Sequence, residues 1–283
     1  MKKILLPTDF SDNAWNAIQY ALQLFKNETC TFYLLNSFSE AMSTPTSGII
    51  STKVKESVYK AQVEISKTGL VDCLNTVTAN FNNDKHKFVT VSIYDSFPNA
   101  IKKVIKEREI DLIVMGTKGA TALKEMTIGS NTSGLIGVAS CPILAIPQNV
   151  EFKPLEEVGL STDFEIDFNA QGLATLLYLL KQFQAKVSVV NIMEKPRALT
   201  ALQESGKQKL TQVFEDLDTQ FFTLTDIGVS SGVRAFVESR HLDMLCVVAK
   251  EQDFMKRFLG MSYSKSISNH ASIPLLILNI KMF

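Results

Sequence analysis

Residues 3–11 read KILLPTDFS, a short apolar run that stops at Pro7 and is followed by a polar turn. An apolar run of this length bounded by proline is typical of a buried strand. Ser11 or Asp12 can then cap a helix, because apolar residues recur at helical spacing from Ala14 to Phe25. The stretch therefore predicts a strand, a turn and an amphipathic helix in direct succession.

The same pattern returns in the second half of the chain. Three segments of the first half recur there in the same order: LPTDFS (6–11) as LSTDFE (160–165), DLIVM (111–115) as DMLCV (243–247), and CPILAI (141–146) as IPLLIL (273–278). Internal repeats indicate copies of one structural unit. We therefore predict two domains, 1–149 and 150–283, with the charged, proline-containing stretch near Glu151 as their boundary.

The two copies differ in length at one place. The spacing between copies is 154 residues at Asp9 and 155 at Asn36, but 132 at Asp111, so the second copy is 22 residues shorter after its second strand. In the first copy this region contains Ser39–Thr52, which is rich in Ser, Thr, Pro and Gly and is predicted to be a loop. A loop of this length inside a compact domain is usually functional or mobile.

Strand and helix patterns alternate through each copy. The predicted strands of the first copy are Lys3–Leu6, Thr31–Leu35, Phe88–Ile93, Leu112–Met115 and Ile143–Ile146. Helical spacing falls between them, at residues 14–25, 54–65, 101–105 and 131–140. Strict alternation predicts an α/β fold with helices on both faces of a parallel sheet. The chain is thus expected to form two tandem, doubly wound, five-stranded parallel-sheet domains, the second from about Val158 to Ile280.

Composition excludes several classes of protein. The 46% hydrophobic and 20% charged content is that of a soluble globular protein, and 29 basic residues balance 29 acidic ones. No overall field therefore attracts nucleic acid or an anionic membrane. The N-terminal apolar run is too short for a signal peptide, and no run approaches the ~20 residues of a membrane span. Four cysteines and three histidines are scattered without metal-ligand spacing. We expect a cytoplasmic protein without nucleic-acid or membrane partners.

A glycine pattern follows the fourth predicted strand. MGTKG at 115–119 is separated by nine residues from GSNTS at 129–133, which gives the spacing G-x2-G-x9-G-S. Gly116 would let a ligand approach the backbone at a strand end. Gly129 and Ser130 would open a helix whose free amides and dipole favour an anion, with Lys118 adding positive charge. Residues 7–9 also follow a strand, so both segments can line one crevice where strand order reverses. The arrangement predicts a nucleotide site.

PTDFS followed by an amphipathic helix, together with MGTKG-x9-GSNTSGLIGVASCPILAIP, resembles the universal stress protein family. The resemblance implies an adenine nucleotide α-hydrolase-like, Rossmann-like fold that binds ATP, ADP or AMP, and it leaves an accompanying Mg²⁺ open. It implies that Asp9 lies beside the adenine-ribose moiety and that Met115 and Gly116 line the nucleoside pocket. Ser37 stands where relatives often carry a valine beside adenine. The candidate binding residues are Pro7, Thr8, Asp9, Ser37, Met115, Gly116, Lys118, Gly119, Gly129, Ser130, Asn131 and Thr132.

The second copy departs from this pattern. At an offset of 132 residues its glycines are replaced by Val248, Glu251 and Met261. A carboxylate at Glu251 would repel phosphate, and the two apolar side chains would fill the space beside it. We therefore expect no ATP binding in the second copy, and we expect Asp163 to cap the helix that follows it.

The leading interpretation is a stress-response regulatory protein that binds an adenine nucleotide through its first domain. Its second domain would serve as an intramolecular pseudo-dimer partner through the last strands, Ile143–Ile146 and Leu275–Leu278, because relatives commonly pair that edge strand in dimers. A further homodimer stays open. With neither a Walker lysine motif nor paired carboxylates, at most slow ATP hydrolysis is expected.

Two alternatives remain at this point. One is a non-nucleotide scaffold or ligand-binding protein whose second domain binds an apolar ligand or a protein partner. Its basis is the apolar set Val248, Phe254, Met255, Phe258 and Met261. The other is an adenylating enzyme or an electron-transfer flavoprotein of related fold. The missing SGGxDS-like loop after the first strand counts against adenylation.

Overall fold

The computed structural model describes residues 1–39, 52–117, 134–135, 138–249 and 273–283. Almost all of the predicted loop 39–52 and half of the predicted helix 131–140 lie outside these residues, as do residues 250–272. The described strands are β1 Lys2–Pro7, β2 Cys30–Phe38, β3 His86–Tyr94, β4 Leu112–Gly116, β5 Ile143–Ile146, β6 Glu157–Ser161, β7 Lys186–Met193, β8 Thr219–Thr225, β9 Met244–Ala249 and β10 Leu275–Asn279. The described helices are α1 Asp12–Leu24, α2 Thr52–Asn80, α3 Phe97–Arg108, α4 Ala174–Phe183, α5 Ala201–Val213 and α6 Val229–Arg240, with a 3₁₀ turn at Ile280–Met282.

The ten described strands form one sheet in the order β3-β2-β1-β4-β5-β10-β9-β6-β7-β8. The second half of this order mirrors the first, as the sequence repeat predicts. Neighbouring strands within each half are parallel, and β5 and β10 pair antiparallel with Leu276 opposite Leu144. The fold is thus α/β with a mostly parallel sheet, and the predicted pairing of the last strands is present.

Helix α1 illustrates how the sequence forms these elements. Its apolar residues recur at helical spacing, so that Ala17, Ile18 and Ala21 are buried. Ser11 caps its first turn by accepting a hydrogen bond from the Ala14 N–H at 3.3 Å. The prediction of a helix capped at this position is confirmed. No helix among the described residues is long and apolar enough to cross a membrane.

The hydrophobic core lies on both faces of the sheet, and both of its clusters include residues from the two halves. One cluster contains Phe32 of β2 and Leu160 of β6. The cluster on the opposite face contains Leu35 of β2 and Val247 of β9. Apolar packing therefore runs across the β5–β10 junction on each face, so the two halves share their core.

The segment between β6 and α4 differs from the expectation that Asp163 caps a helix. Oδ1 of Asp163 accepts a hydrogen bond from the Glu165 N–H at 3.0 Å, which closes a local turn, and α4 begins only at Ala174. The intervening chain is irregular and buries Phe168, whose ring contacts Phe283 with centroids 5.7 Å apart. That expectation is therefore wrong, because packing against the far end of the chain holds this segment out of the helix.

Candidate functional site

The carboxyl ends of β2, β1 and β4 meet at one edge of the sheet, and strand order reverses between β1 and β4. Their ladder pairs Ile4 with Leu112 and Leu5 with Ile113 and then stops, although β1 still pairs with β2 as far as Pro7. The reason is chemical. The Thr8 N–H donates to Leu35 O of β2 at 2.8 Å, so the preceding position faces β4, and proline has no N–H to offer there. The hydrogen-bonded pairing of β1 with β4 therefore ends before Pro7. Because open α/β sheets bind ligands at the carboxyl ends of strands where strand order reverses, this edge is the candidate crevice.

The equivalent edge of the second half keeps its hydrogen-bonded pairing over a longer stretch. There the ladder between β6 and β9 continues two pairs further, through Leu160 with Cys246 and Ser161 with Val247. Ser161 occupies the position of Pro7 and retains its N–H on the β9 side. The two halves therefore differ in hydrogen bonding at this edge, because the pairing ends at Leu5 in the first half and extends to Ser161 in the second.

The Thr8–Asp9 turn forms one side of the candidate crevice. Thr8 is buried, and its Oγ1 accepts a hydrogen bond from the Phe10 N–H at 3.0 Å, which holds Phe10 in the left-handed region at φ 64°. Asp9 is exposed, and its Oδ1 accepts from both the N–H and the hydroxyl of Ser11 at 3.1 and 2.6 Å. The turn therefore presents a carboxylate at the mouth of the crevice in a fixed position.

Met115 and Gly116 form the other side. The Met115 side chain is buried in the core, so only its main chain can face a ligand. A Cβ at Gly116 would lie 2.2 Å from Nδ2 of Asn13 in α1. The absence of a side chain at Gly116 is thus required by the close approach of α1, whereas the sequence was interpreted as requiring it for the approach of a ligand.

The structure brings together six of the twelve candidate residues at this edge: Pro7, Thr8, Asp9, Ser37, Met115 and Gly116. Ser37 is half-buried and is the penultimate residue of β2. The other candidates lie outside the described residues: Lys118, Gly119, Gly129, Ser130, Asn131 and Thr132. In the second half, Glu251 and Met261 also lie outside them, whereas Val248 is buried within β9.

Two asparagines at the crevice were not predicted as site residues. Asn36 donates from Nδ2 to Thr8 O at 2.8 Å and so ties the Thr8–Asp9 turn to β2. Its repeat partner Asn191 makes the same bond to Thr162 O at 2.9 Å, so recurrence at 155 residues was a usable signal. Asn13 carried no such signal, because its contact with Gly116 joins residues far apart in the sequence.

The described titratable groups offer little for covalent or metal chemistry. No group of three or more His, Cys, Asp or Glu side chains within the described residues is arranged to hold a metal ion. Burial raises the pKa of Cys30 to about 11 and that of Cys141 to about 12, which keeps both thiols protonated at neutral pH. Among the described residues at this edge, the chemistry available is hydrogen bonding by Asp9 and by the main chain.

Comparison with known proteins agrees with this architecture. A universal stress protein of Methanocaldococcus jannaschii is 28% identical over 152 residues, covering 51% of this chain and 81% of that protein. One of Bacillus subtilis is 27% identical over 146 residues, covering 51% of this chain and 97% of that protein. The crystal structure of a universal stress protein from Archaeoglobus fulgidus covers 98% of this chain and 96% of its own, at 15% identity and a TM-score of 0.60, and so shares its fold.

The sequence model of the universal stress protein family matches residues 1–147, more than half of the chain. The matched residues include β1, α1 and β4 and, in the sequence, the whole glycine pattern. The chain therefore belongs to the universal stress protein family.

Proposed function

We propose that the first half of the chain binds an adenine nucleotide, ATP, ADP or AMP, in the crevice between β1 and β4, and that the second half binds none. The observation that carries this proposal is the meeting of Asp9, Met115 and Gly116 at the sheet edge where strand order reverses, next to a glycine pattern that the sequence of the second half lacks. The hydrogen-bonded ladders at this edge differ as well: the first stops at Leu5–Ile113, whereas the second continues to Ser161–Val247. Ligands of open α/β sheets bind outside the carboxyl ends of the strands, where strand order reverses.

The residues at the crevice fit such a ligand. The exposed carboxylate of Asp9 can accept hydrogen bonds from ribose hydroxyls. The main chain at Met115 and Gly116 can meet the nucleoside, and the glycine pattern that follows β4 in the sequence would supply amides for the phosphates. Mg²⁺ is usually held by one or two carboxylates and by phosphate oxygens, so it would accompany a bound ATP chiefly through the phosphates.

The role proposed for this binding is regulatory, in a stress response. The crevice has a single exposed carboxylate on the Thr8–Asp9 turn and no cluster of titratable groups within the described residues. Hydrolysis, if it occurs, would be slow and carried by water and the ion. The second half would then act as the permanent pairing partner of the first. Burial of Val248 in the core supports packing over ligand contact for that apolar replacement.

The proposal is tested by exchanging the two residues that end or extend the ladder. Pro7→Ser supplies the missing N–H and should extend β1–β4 pairing into the crevice. It should weaken ATP binding by about 0.5–1.5 kcal/mol, the net worth of one backbone hydrogen bond. Ser161→Pro is the matched control and should leave ATP affinity unchanged. Isothermal titration of both full-length variants measures this, and equal affinities for the two variants would contradict the proposal.

A further inference from the structure

Helix α1 connects the candidate crevice to the second half of the molecule. Its first turn touches both sides of the crevice, because Ser11 binds the Asp9 carboxylate and Asn13 packs over Gly116. Any ligand between these sides lies against this turn. The position of α1 and the geometry of the crevice are therefore linked by direct contacts.

The middle of α1 holds the segment that joins the two halves. Nδ2 of Asn16 donates to Pro147 O and to Val150 O, each at 3.2 Å, so one amide fixes two carbonyls between β5 and β6. One helical turn further on, the ring of Tyr20 meets that of Phe152 edge to face, with centroids 5.4 Å apart. Movement of α1 would displace this connecting segment with it.

The end of α1 is bound by α4 of the second half. Nε2 of Gln182 donates to Leu24 O at 3.0 Å, and this carbonyl belongs to the last turn, where no partner exists within the helix. The rings of Phe25 and Tyr178 stack beside it with centroids 6.2 Å apart and planes at 15°. A helix of 13 residues is about 20 Å long, so α1 spans from the crevice to α4 as one stiff element.

We propose that occupation of the first-half crevice is communicated to α4 of the second half through α1, with Asn16 and Gln182 as positioning residues. This inference rests on the proposed nucleotide binding. A ligand that fixes the Asp9 turn and the Gly116 main chain fixes the N-terminal turn of α1. The contacts of Asn16, Tyr20 and Gln182 then pass that restraint to the connecting segment and to α4. Packed side chains, hydrogen bonds and rigid elements can carry coupling between distant sites, and α1 connects the two sites through all three.

The experiment is hydrogen exchange by mass spectrometry on the full chain with and without saturating ATP, with binding followed separately by calorimetry. In the unmodified chain, ATP should slow exchange in α4 (Ala174–Phe183) by about fivefold or more, the lower end of the range for coupled sites. The double variant Asn16→Ala, Gln182→Leu should bind ATP but lose the slowing in α4. Thr211→Ala is the control, because its hydroxyl donates only to Lys207 O of its own helix, and it should retain the slowing.

The outcomes separate this inference from the proposed function. ATP binding with slowed exchange in the first half alone overturns the coupling and leaves the binding proposal standing. The coupling is also overturned if the double variant still slows α4. If calorimetry detects no ATP binding in any of these proteins, both the coupling and the binding proposal are overturned. If circular dichroism shows that the double variant is unfolded, Gln182→Met alone replaces it, because methionine keeps the side-chain size. Slowed exchange of α4 in that variant would likewise overturn the coupling.

Discussion

Asp9 stands at the mouth of the crevice, with its carboxylate held by Ser11 and exposed to solvent. We expect Asp9→Ala to weaken ATP binding by about 1–3 kcal/mol, the cost of removing a charged hydrogen-bond acceptor. Asp163→Ala is the matched control, since Asp163 closes the same turn in the second half through the Glu165 N–H. It should leave ATP affinity unchanged in calorimetry. Loss of the circular dichroism signal in Asp9→Ala would instead assign this carboxylate a structural role.

His86, at the start of β3, gives the fold a dependence on pH. Its Nε2 lies 3.1 Å from Phe25 O, and its Nδ1 is buried without a hydrogen-bond partner. Burial lowers the pKa of this ring below its ordinary 6.5, and the bond to Phe25 O opposes that only in part. As pH falls through 6.5, His86 binds a proton in the unfolded chain but not yet in the folded chain, so the free energy of unfolding decreases.

The His86→Gln variant should lose this part of the acid sensitivity, because glutamine does not titrate. Urea unfolding at pH 7.5 and 5.5 measures it, and the difference between the two pH values should shrink in the variant. His241→Gln, at an exposed position, is the control and should keep the full difference. An unchanged difference in His86→Gln would show that other groups cause the loss.

At the scale of elements, substitution by alanine is predicted to have opposite effects on stability at two helix glycines. A Cβ at Gly206 of α5 would lie 2.0 Å from Phe164 O, a backbone atom, whereas at Gly69 of α2 it would meet the Phe10 ring at 2.6 Å. That ring is 39% exposed and can move aside. Glycine to alanine inside a helix normally stabilises by about 1 kcal/mol. We expect this gain, or no change, for Gly69→Ala.

For Gly206→Ala the backbone clash should outweigh the propensity gain and destabilise the fold by about 1–3 kcal/mol, as overpacking does. Urea denaturation of both variants compares their free energies of unfolding. If the two variants are equally stable, the close approach of α5 to the turn after β6 is not as the structure has it.

The elements also show what local sequence could predict. Strand β5 was predicted with the bounds it has, because Pro142 and an unbroken apolar run define it. Helix α2 runs to Asn80, well beyond the predicted 54–65. Its apolar residues Ile65 and Val71 are exposed, so the apolar positions in the sequence do not follow the buried face of the helix. The late start of α4 could not be predicted, because Phe168 packs against Phe283, more than a hundred residues away. Local periodicity predicts elements well, and long-range contacts set their limits.

The candidate site was predictable to a different degree. Sequence order brings Asp9 and Gly116 to the same sheet edge, because both follow strands of a parallel sheet. The early end of the β1–β4 pairing depends on the hydrogen-bond register, which became visible only in the structure. The tight contact of Asn13 with Gly116 likewise depends on how α1 packs, which no spacing in the sequence encodes.

At the scale of the whole molecule, the repeat is fused edge to edge. The antiparallel pairing of β5 with β10 satisfies the backbone groups of two strongly apolar strands that would otherwise be exposed. Asn279 adds a side-chain bond across the junction, donating to Ala139 O at 3.0 Å. Fusion raises the effective concentration of one edge for the other, so pairing within the chain is favoured. Under our proposal, the second half can then lose its own nucleotide site and still be required.

The most direct test of this account is the number of ATP molecules bound per chain, measured by isothermal titration calorimetry on the full-length protein. We predict one site, abolished by Gly129→Val, because a side chain there would occupy the approach of a phosphate to the helix amides. Gly260→Val, in the corresponding stretch of the second half, should leave that single site intact. Two equivalent sites, no site, or ATP binding that survives Gly129→Val would contradict the account.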